Sequence, residues 1–218
     1  MLKAIIFDMD GVLVKSEGAI SKSFNMVLEK YGVSLNPENK KKFLGRSLKD
    51  HLEMLKSENP EIPKDLSEKQ FSEEAFNYQL ELTKGKLIPD SLILNLIKEA
   101  KEKKIKIAVA TSSLKYRADV LLALVGILDK LDALVTAEDV KNHKPNPDVF
   151  LETSKRLSVL PQDCVVIEDA LNGIQAANKA GMKSVAFVTE NHSKEDFSEA
   201  RYIFSDFKDL KLEDLESL

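Results

Sequence analysis

The 218-residue chain is poor in cysteine and histidine, carries no excess of positive charge and has no long apolar run. Its one cysteine, Cys164, excludes an internal disulfide. That residue heads the apolar stretch Cys164-Val165-Val166-Ile167, where a buried structural thiol is expected. The formal net charge is −4, so no global basic field would draw the chain to nucleic acid or to a membrane. Local clusters such as Lys40-Lys41-Lys42 alternate with glutamates nearby and read as solvated helix faces. The apolar run near the start is short, and Asp8 and Asp10 interrupt the next stretch, which is unlike a secretory signal. No segment approaches the length of a membrane-spanning helix, and a cytoplasmic location is expected. Internal repeats and low-complexity linkers are also missing. His51, His143 and His192 read as surface residues.

What the chain does have is 43% hydrophobic and 31% charged residues, enough for a packed core and a solvated surface. Apolar, β-branched segments at 2–7, 105–110, 165–167 and 184–188 predict buried parallel strands. Weaker signals lie at 133–136 and 202–204, the latter suited to a sheet edge. Helical patterns alternate with them at 91–103, 116–124, 147–157 and 171–180, the last stopped by Gly181 and the third opened by Pro147. The alternation predicts an α/β fold, a doubly wound parallel sheet with right-handed crossovers. Between residues 15 and 86 the pattern is helical only, at 20–31, 40–56 and 66–83. The expected organisation is therefore an α/β core of residues 1–14 and 87–218 with a helical cap of residues 15–86 inserted after the first strand. Ligands in such sheets bind at the carboxyl ends of the strands, where the insertion leaves, so it is expected to act as a lid.

The polar residues recur at those same ends. The first strand runs into Asp8-Met9-Asp10-Gly11, the strand at 105–110 into Thr111-Ser112-Ser113, and the strand at 165–167 into Glu168-Asp169. Lys144-Pro145-Asn146-Pro147 follows the weak strand at 133–136, with His143 beside it. Four acids brought together would resist ionisation unless a cation sat among them, and a hard cation such as Mg²⁺ suits oxygen ligands. A hydroxyl and an ammonium facing them suit the oxygens of a phosphate. The set points to phosphoryl transfer.

Phe7-Asp8-Met9-Asp10-Gly11-Val12-Leu13 resembles the first motif of the haloacid dehalogenase superfamily. Ala110-Thr111-Ser112-Ser113 resembles the second, Lys144 to Phe150 the third, and Ile167-Glu168-Asp169-Ala170-Leu171-Asn172-Gly173-Ile174 the fourth, in the family's order. The resemblance is greatest to the phosphatase and β-phosphoglucomutase branch with a helical cap. It implies a Mg²⁺-dependent phosphoric monoester hydrolase acting on a small phosphorylated metabolite such as a sugar or polyol phosphate. Asp8 would be the nucleophile and Asp10 the acid–base. Mg²⁺ would be held by Asp8, by Asp10 through its backbone carbonyl, and by Asp169, with Glu168 close by. Thr111, Ser112 and Lys144 would bind the phosphoryl group, and Arg46 in the cap is a candidate substrate contact. A monomer is the default for such a chain.

The sequence also departs from the family. Lys15 stands where relatives usually carry an aspartate, and Gly18-Ala19-Ile20-Ser21 lacks the cap histidine of mutase-type relatives. Arg46 lies nearer Gly45 than the phosphate-gripping cap arginine is expected to lie. Ala170 replaces a common serine and Asp90 a common glycine. Two of these departures, the missing histidine and the displaced arginine, favour a phosphatase over a β-phosphoglucomutase-like phosphotransferase. A silent relative that only binds a phosphorylated ligand is the third reading, disfavoured by the intact Asp8 and Asp10.

Overall fold

The computed structural model describes residues 1–34, 48–189 and 192–218. The chain divides into two compact units, one of Met1–Lys15 with Leu87–Leu218 and one of Ser16–Lys86. The first is built on a six-stranded sheet. Its strands are β1 (Ala4–Phe7), β2 (Lys106–Ala110), β3 (Ala133–Val135), β4 (Cys164–Glu168), β5 (Lys183–Phe187) and β6 (Tyr202–Phe204). All pairs are parallel, in the order β3-β2-β1-β4-β5-β6. β1 therefore lies at the centre, buried along its whole length, and the segment expected at an edge, β6, is at one.

Among the described residues, the helices of the second unit are α1 (Glu17–Glu29), α2 (Leu48–Glu58) and α3 (Glu68–Thr83). Their common core joins Val27, Leu28, Leu52, Leu55, Phe71 and Ala75, with Phe24 edge-on to Phe71 at 5.3 Å. α3 starts at a capping box in which Ser67 and Gln70 satisfy each other's backbone amides. The helix expected at 40–56 is described only from Leu48 onward, because residues 35–47, Arg46 among them, lie outside the described residues.

In the first unit, α4 (Ser91–Glu102), α5 (Lys115–Leu124), α6 (Asp148–Leu157), α7 (Leu171–Lys179) and the short α8 (Leu212–Glu216) surround the sheet. Successive strand side chains point to opposite faces. On one face Ala4, Ile6, Ala108, Ala110, Cys164 and Val166 pack with Val149 and Phe150 of α6 and Ala176 and Ala177 of α7. α4 packs on β2 and on α8. The unexpected Asp90 caps α4, its Oδ1 accepting from the Leu92 amide at 2.9 Å. Pro147 stands one residue earlier than expected, as the cap before α6 rather than inside its first turn.

Cys164 is fully buried, and its environment pushes the thiol up to about 12. The thiolate is the reactive form. Native protein at pH 8 is therefore expected to resist a thiol reagent such as DTNB, while urea-unfolded protein reacts with one equivalent. Fast stoichiometric labelling of the native chain would show that this part of the sheet opens readily.

Candidate active site

The pairing register decides which strand ends meet. Phe7 lies level with Val109 on one side and with Ile167 on the other. Asp8, the next residue, keeps the ladder with β4 through its amide, bonded to the Ile167 carbonyl at 2.9 Å. It therefore falls beside Ala110 and Glu168. Beyond it the chain turns sharply, Gly11 N–H donating to Val14 O at 2.9 Å. Gly11 has φ +87°, and a β-carbon there would sit 1.9 Å from Asp169 Oδ2. Only glycine provides this conformation at that distance.

Lys144 joins the strand ends. Its Nζ donates to Asp8 Oδ1 at 2.5 Å, to Glu168 Oε1 at 2.7 Å and to the Ala110 carbonyl at 3.2 Å. The ammonium also lies 5.0 Å from the centre of the Phe150 ring. Asp8, Glu168 and Asp169 are all buried. Burial pushes the Asp8 carboxyl up, to about 7, and the Glu168 charge adds to this against the pull of Lys144. Burial alone would drive the proton off Lys144, but Asp8 and Glu168 outweigh it and hold the ammonium above its ordinary value.

Glu168 is held from its other oxygen by the Ala170 amide at 2.8 Å, at the entrance to α7. Gly173 in the first turn of α7 makes room for it, since a β-carbon there would lie 1.8 Å from Glu168 Oε1. Gly→Ala inside a helix ordinarily stabilises by about 1 kcal/mol. Here the sign is expected to reverse, with Gly173→Ala lowering stability by about 1–3 kcal/mol through overpacking. Urea unfolding measures it, and a stabilised variant would show that Glu168 is free to swing away.

Asp10 takes a different direction from Asp8. Both of its oxygens face the guanidinium of Arg117, with Nη1–Oδ2 at 2.8 Å and Nη2–Oδ1 at 2.7 Å. Ser113 Oγ donates to the same Oδ2 at 2.8 Å. Thr111 is buried, its Oγ1 accepting from the Ser113 amide at 3.0 Å, and this bond tightens the turn after β2. Ser112 is exposed in that turn, and His143 is exposed beside Lys144. Arg117 did not emerge from the sequence. No local signal marked it, because Ser113 precedes the extended cap residue Leu114 and so lies outside the helix that carries Arg117.

The residues suit a divalent metal by their chemistry. Asp8, Glu168 and Asp169 are buried with one lysine among them, so the cluster carries excess negative charge, and Asp8 is raised by burial first and by the Glu168 charge after it. A hard cation with oxygen ligands would relieve it. Among the described residues, no three acidic, histidine or cysteine side chains are drawn together as around an ion. Asp8 and Glu168 converge on the Lys144 ammonium instead.

Known proteins resemble this chain in sequence and fold. The sequence pattern of the haloacid dehalogenase-like hydrolases matches residues 5–187. The chain belongs to that family. It is 32% identical over 186 residues to a Thermotoga maritima phosphorylated carbohydrates phosphatase, covering 84% of each chain. It is 35% identical over 191 residues to the Arabidopsis thaliana protein SUPPRESSOR OF QUENCHING 1, chloroplastic, covering 86% of this chain but only 18% of that protein. A solved structure of β-phosphoglucomutase from Clostridium difficile superimposes with a TM-score of 0.81 at 30% identity, over 100% of this chain and 96% of that one. The expected fold class and the expectation of a phosphatase-type hydrolase of this family are borne out. No helix among the described residues is long and apolar enough to cross a membrane.

Proposed function

We propose that this hydrolase cleaves the phosphate monoester of a small metabolite, a sugar or polyol phosphate, through a phosphoryl group carried transiently on Asp8. The observation that supports this most directly is the buried Asp8 carboxylate bonded to Lys144 at 2.5 Å, at the carboxyl end of the central strand. The similarity to a phosphatase of phosphorylated carbohydrates agrees with the substrate class.

In this reading an Asp8 oxygen attacks phosphorus, and the bond from phosphorus to the ester oxygen breaks. Asp10 gives its proton to the departing alkoxide. A water then attacks the phosphorus of the acyl phosphate, Asp10 takes the proton of that water, and Asp8 leaves as a carboxylate. Lys144 holds Asp8 in place and, with Thr111 and the amides of the turn at Ser112, binds the phosphoryl oxygens. Mg²⁺, held by Asp8, Asp169, the Asp10 carbonyl and Glu168 nearby, would supply charge neutralisation for the phosphoryl group. Arg46 and the rest of the helical unit are assigned to substrate selection.

A panel of phosphate esters, with and without Mg²⁺, tests the reading. Phosphate release that requires the metal is expected from one or more sugar or polyol phosphates. No release from any ester, p-nitrophenyl phosphate included, would refute it. The likeness to β-phosphoglucomutase favours a second reading, exchange of phosphate between positions of one sugar. With β-glucose 1-phosphate, glucose 6-phosphate would mark a mutase and free phosphate a hydrolase.

A further inference from the structure

We infer that Arg117 is a positioning residue for the acid–base step, acting through Asp10 and not through the substrate. The inference rests on the phosphatase reading above and extends it to a residue outside the recognised motifs. The geometry is that of a fork meeting a fork. Two guanidinium nitrogens pair with two carboxylate oxygens at 2.7 and 2.8 Å, which fixes the plane of the Asp10 carboxylate as well as its position. Ser113 Oγ adds a third bond to Oδ2 at 2.8 Å and is itself bonded to Arg117 Nη1. The partners are 107 residues apart in sequence, and both side chains are mostly shielded, with exposures of 14% for Arg117 and 22% for Asp10. A surface ion pair of two mobile chains would be worth little, but a bidentate, half-buried one confines its acid.

The backbone explains why an anchor is needed there. Asp10 lies past the last sheet residue, in the tight turn closed by Gly11 and Val14, where the ladder that orders Asp8 has ended. Arg117 stands on the first turn of α5, a regular element, and its amide is bonded to Leu114 O at 3.1 Å. The pair thus ties a loop acid to a helix. Oδ2 accepts two of these bonds and Oδ1 one, so with two lone pairs per oxygen it is Oδ1 through which Asp10 would exchange a proton with a reacting oxygen. A side chain held in one orientation gives up less freedom on reaching the transition state.

The test compares an alkyl phosphate with p-nitrophenyl phosphate in Arg117→Ala, Arg117→Lys, Asp10→Asn and the double variant Asp10→Asn/Arg117→Ala. The alkoxide needs a proton to leave and p-nitrophenolate hardly does. Arg117→Ala is expected to lower kcat on the alkyl ester by about 10- to 100-fold, part of the roughly 10²–10⁴-fold contribution of acid–base help. KM should be unchanged and the loss on p-nitrophenyl phosphate smaller. Lysine, which has no fork, should restore only part of the rate. In the Asp10→Asn background the Arg117 substitution should add nothing. An equal loss on both esters, a rise in KM, or full additivity in the double variant would overturn the assignment while leaving the phosphatase reading standing. Wild-type protein that hydrolyses neither ester, nor any other in the panel, would instead refute that reading, and the assignment with it. Circular dichroism and thermal unfolding of each variant identify a loss due to misfolding, and Arg117→Gln, which keeps most of the aliphatic stem, then replaces the alanine variant.

Discussion

Asp8→Asn is expected to abolish phosphate release and to leave the fold intact. The amide has nearly the shape of the carboxylate but is a poor nucleophile and a weaker metal ligand. Stability should not suffer either. Asp8 is buried, and its carboxyl sits at about 7 rather than 3.8. Between those values the native state binds the proton more tightly than the unfolded chain does. The ionised group therefore costs stability progressively as pH rises from about 4 to 7, and the cost is constant above that. Asparagine carries no such cost. Lys144 keeps Glu168 at 2.7 Å as its partner, so the substitution does not strand the buried ammonium. Thermal unfolding at pH 8 without added divalent cation should give a midpoint at or above that of the wild type, with no turnover in the ester assay. Activity close to wild type would end the covalent mechanism. An unfolded variant would mean that the Asp8–Lys144 contact holds the sheet end together, which the remaining Glu168 contact argues against.

Asp10→Asn is expected to slow turnover by about two to four orders of magnitude, the usual contribution of acid–base help. Mg²⁺ binding and phosphate affinity should be largely retained, because the Asp10 side chain faces Arg117 rather than the Asp8–Glu168 cluster. The loss should be smaller for p-nitrophenyl phosphate, whose leaving group departs without a proton. Dephosphorylation still requires water to lose one. A burst of one equivalent of p-nitrophenolate, then slow turnover, is the kinetic form to look for, and stopped-flow absorbance reads it directly. Asparagine also presents an NH₂ group to one arm of the guanidinium, so it removes the orientation of the side chain together with its proton. If Asp10→Asn weakens Mg²⁺ affinity as severely as Asp169→Asn, the Asp10 side chain is a metal ligand and its assignment as the acid–base fails.

The sequence alone determined the elements and the chemistry at their ends. Buried parallel strands need continuous apolar runs, so β1, β2, β4 and β5 were visible from composition over a few residues. Polar residues placed immediately after such runs had no packing reason to be there, which marked Asp8, Thr111, Glu168 and Asp169 together. The three helices described within residues 15–86 were visible by their period, although Arg46 falls outside the described residues. The isolated departure Asp90 proved to be a helix cap, a role readable from residue type but not anticipated for that position. α8 was missed because five residues are too few to show a helical period.

Tertiary structure decided what those residues do to one another. Strand order is not encoded in any one strand, since every parallel pair in this sheet is joined through a crossover and the central strands are apolar on both faces. Placing β4 and β2 on either side of β1 is what brings Glu168 level with Asp8 and lets Lys144 reach both. The elevated Asp8 carboxyl comes from burial, a property of the packed chain and not of the motif. The bond from Arg117 to Asp10 is the clearest case. Nothing local links residues 107 positions apart. A helix arginine reads as solvated until the fold sets its guanidinium against a loop carboxylate, because pairing energy depends on distance and desolvation, and sequence specifies neither.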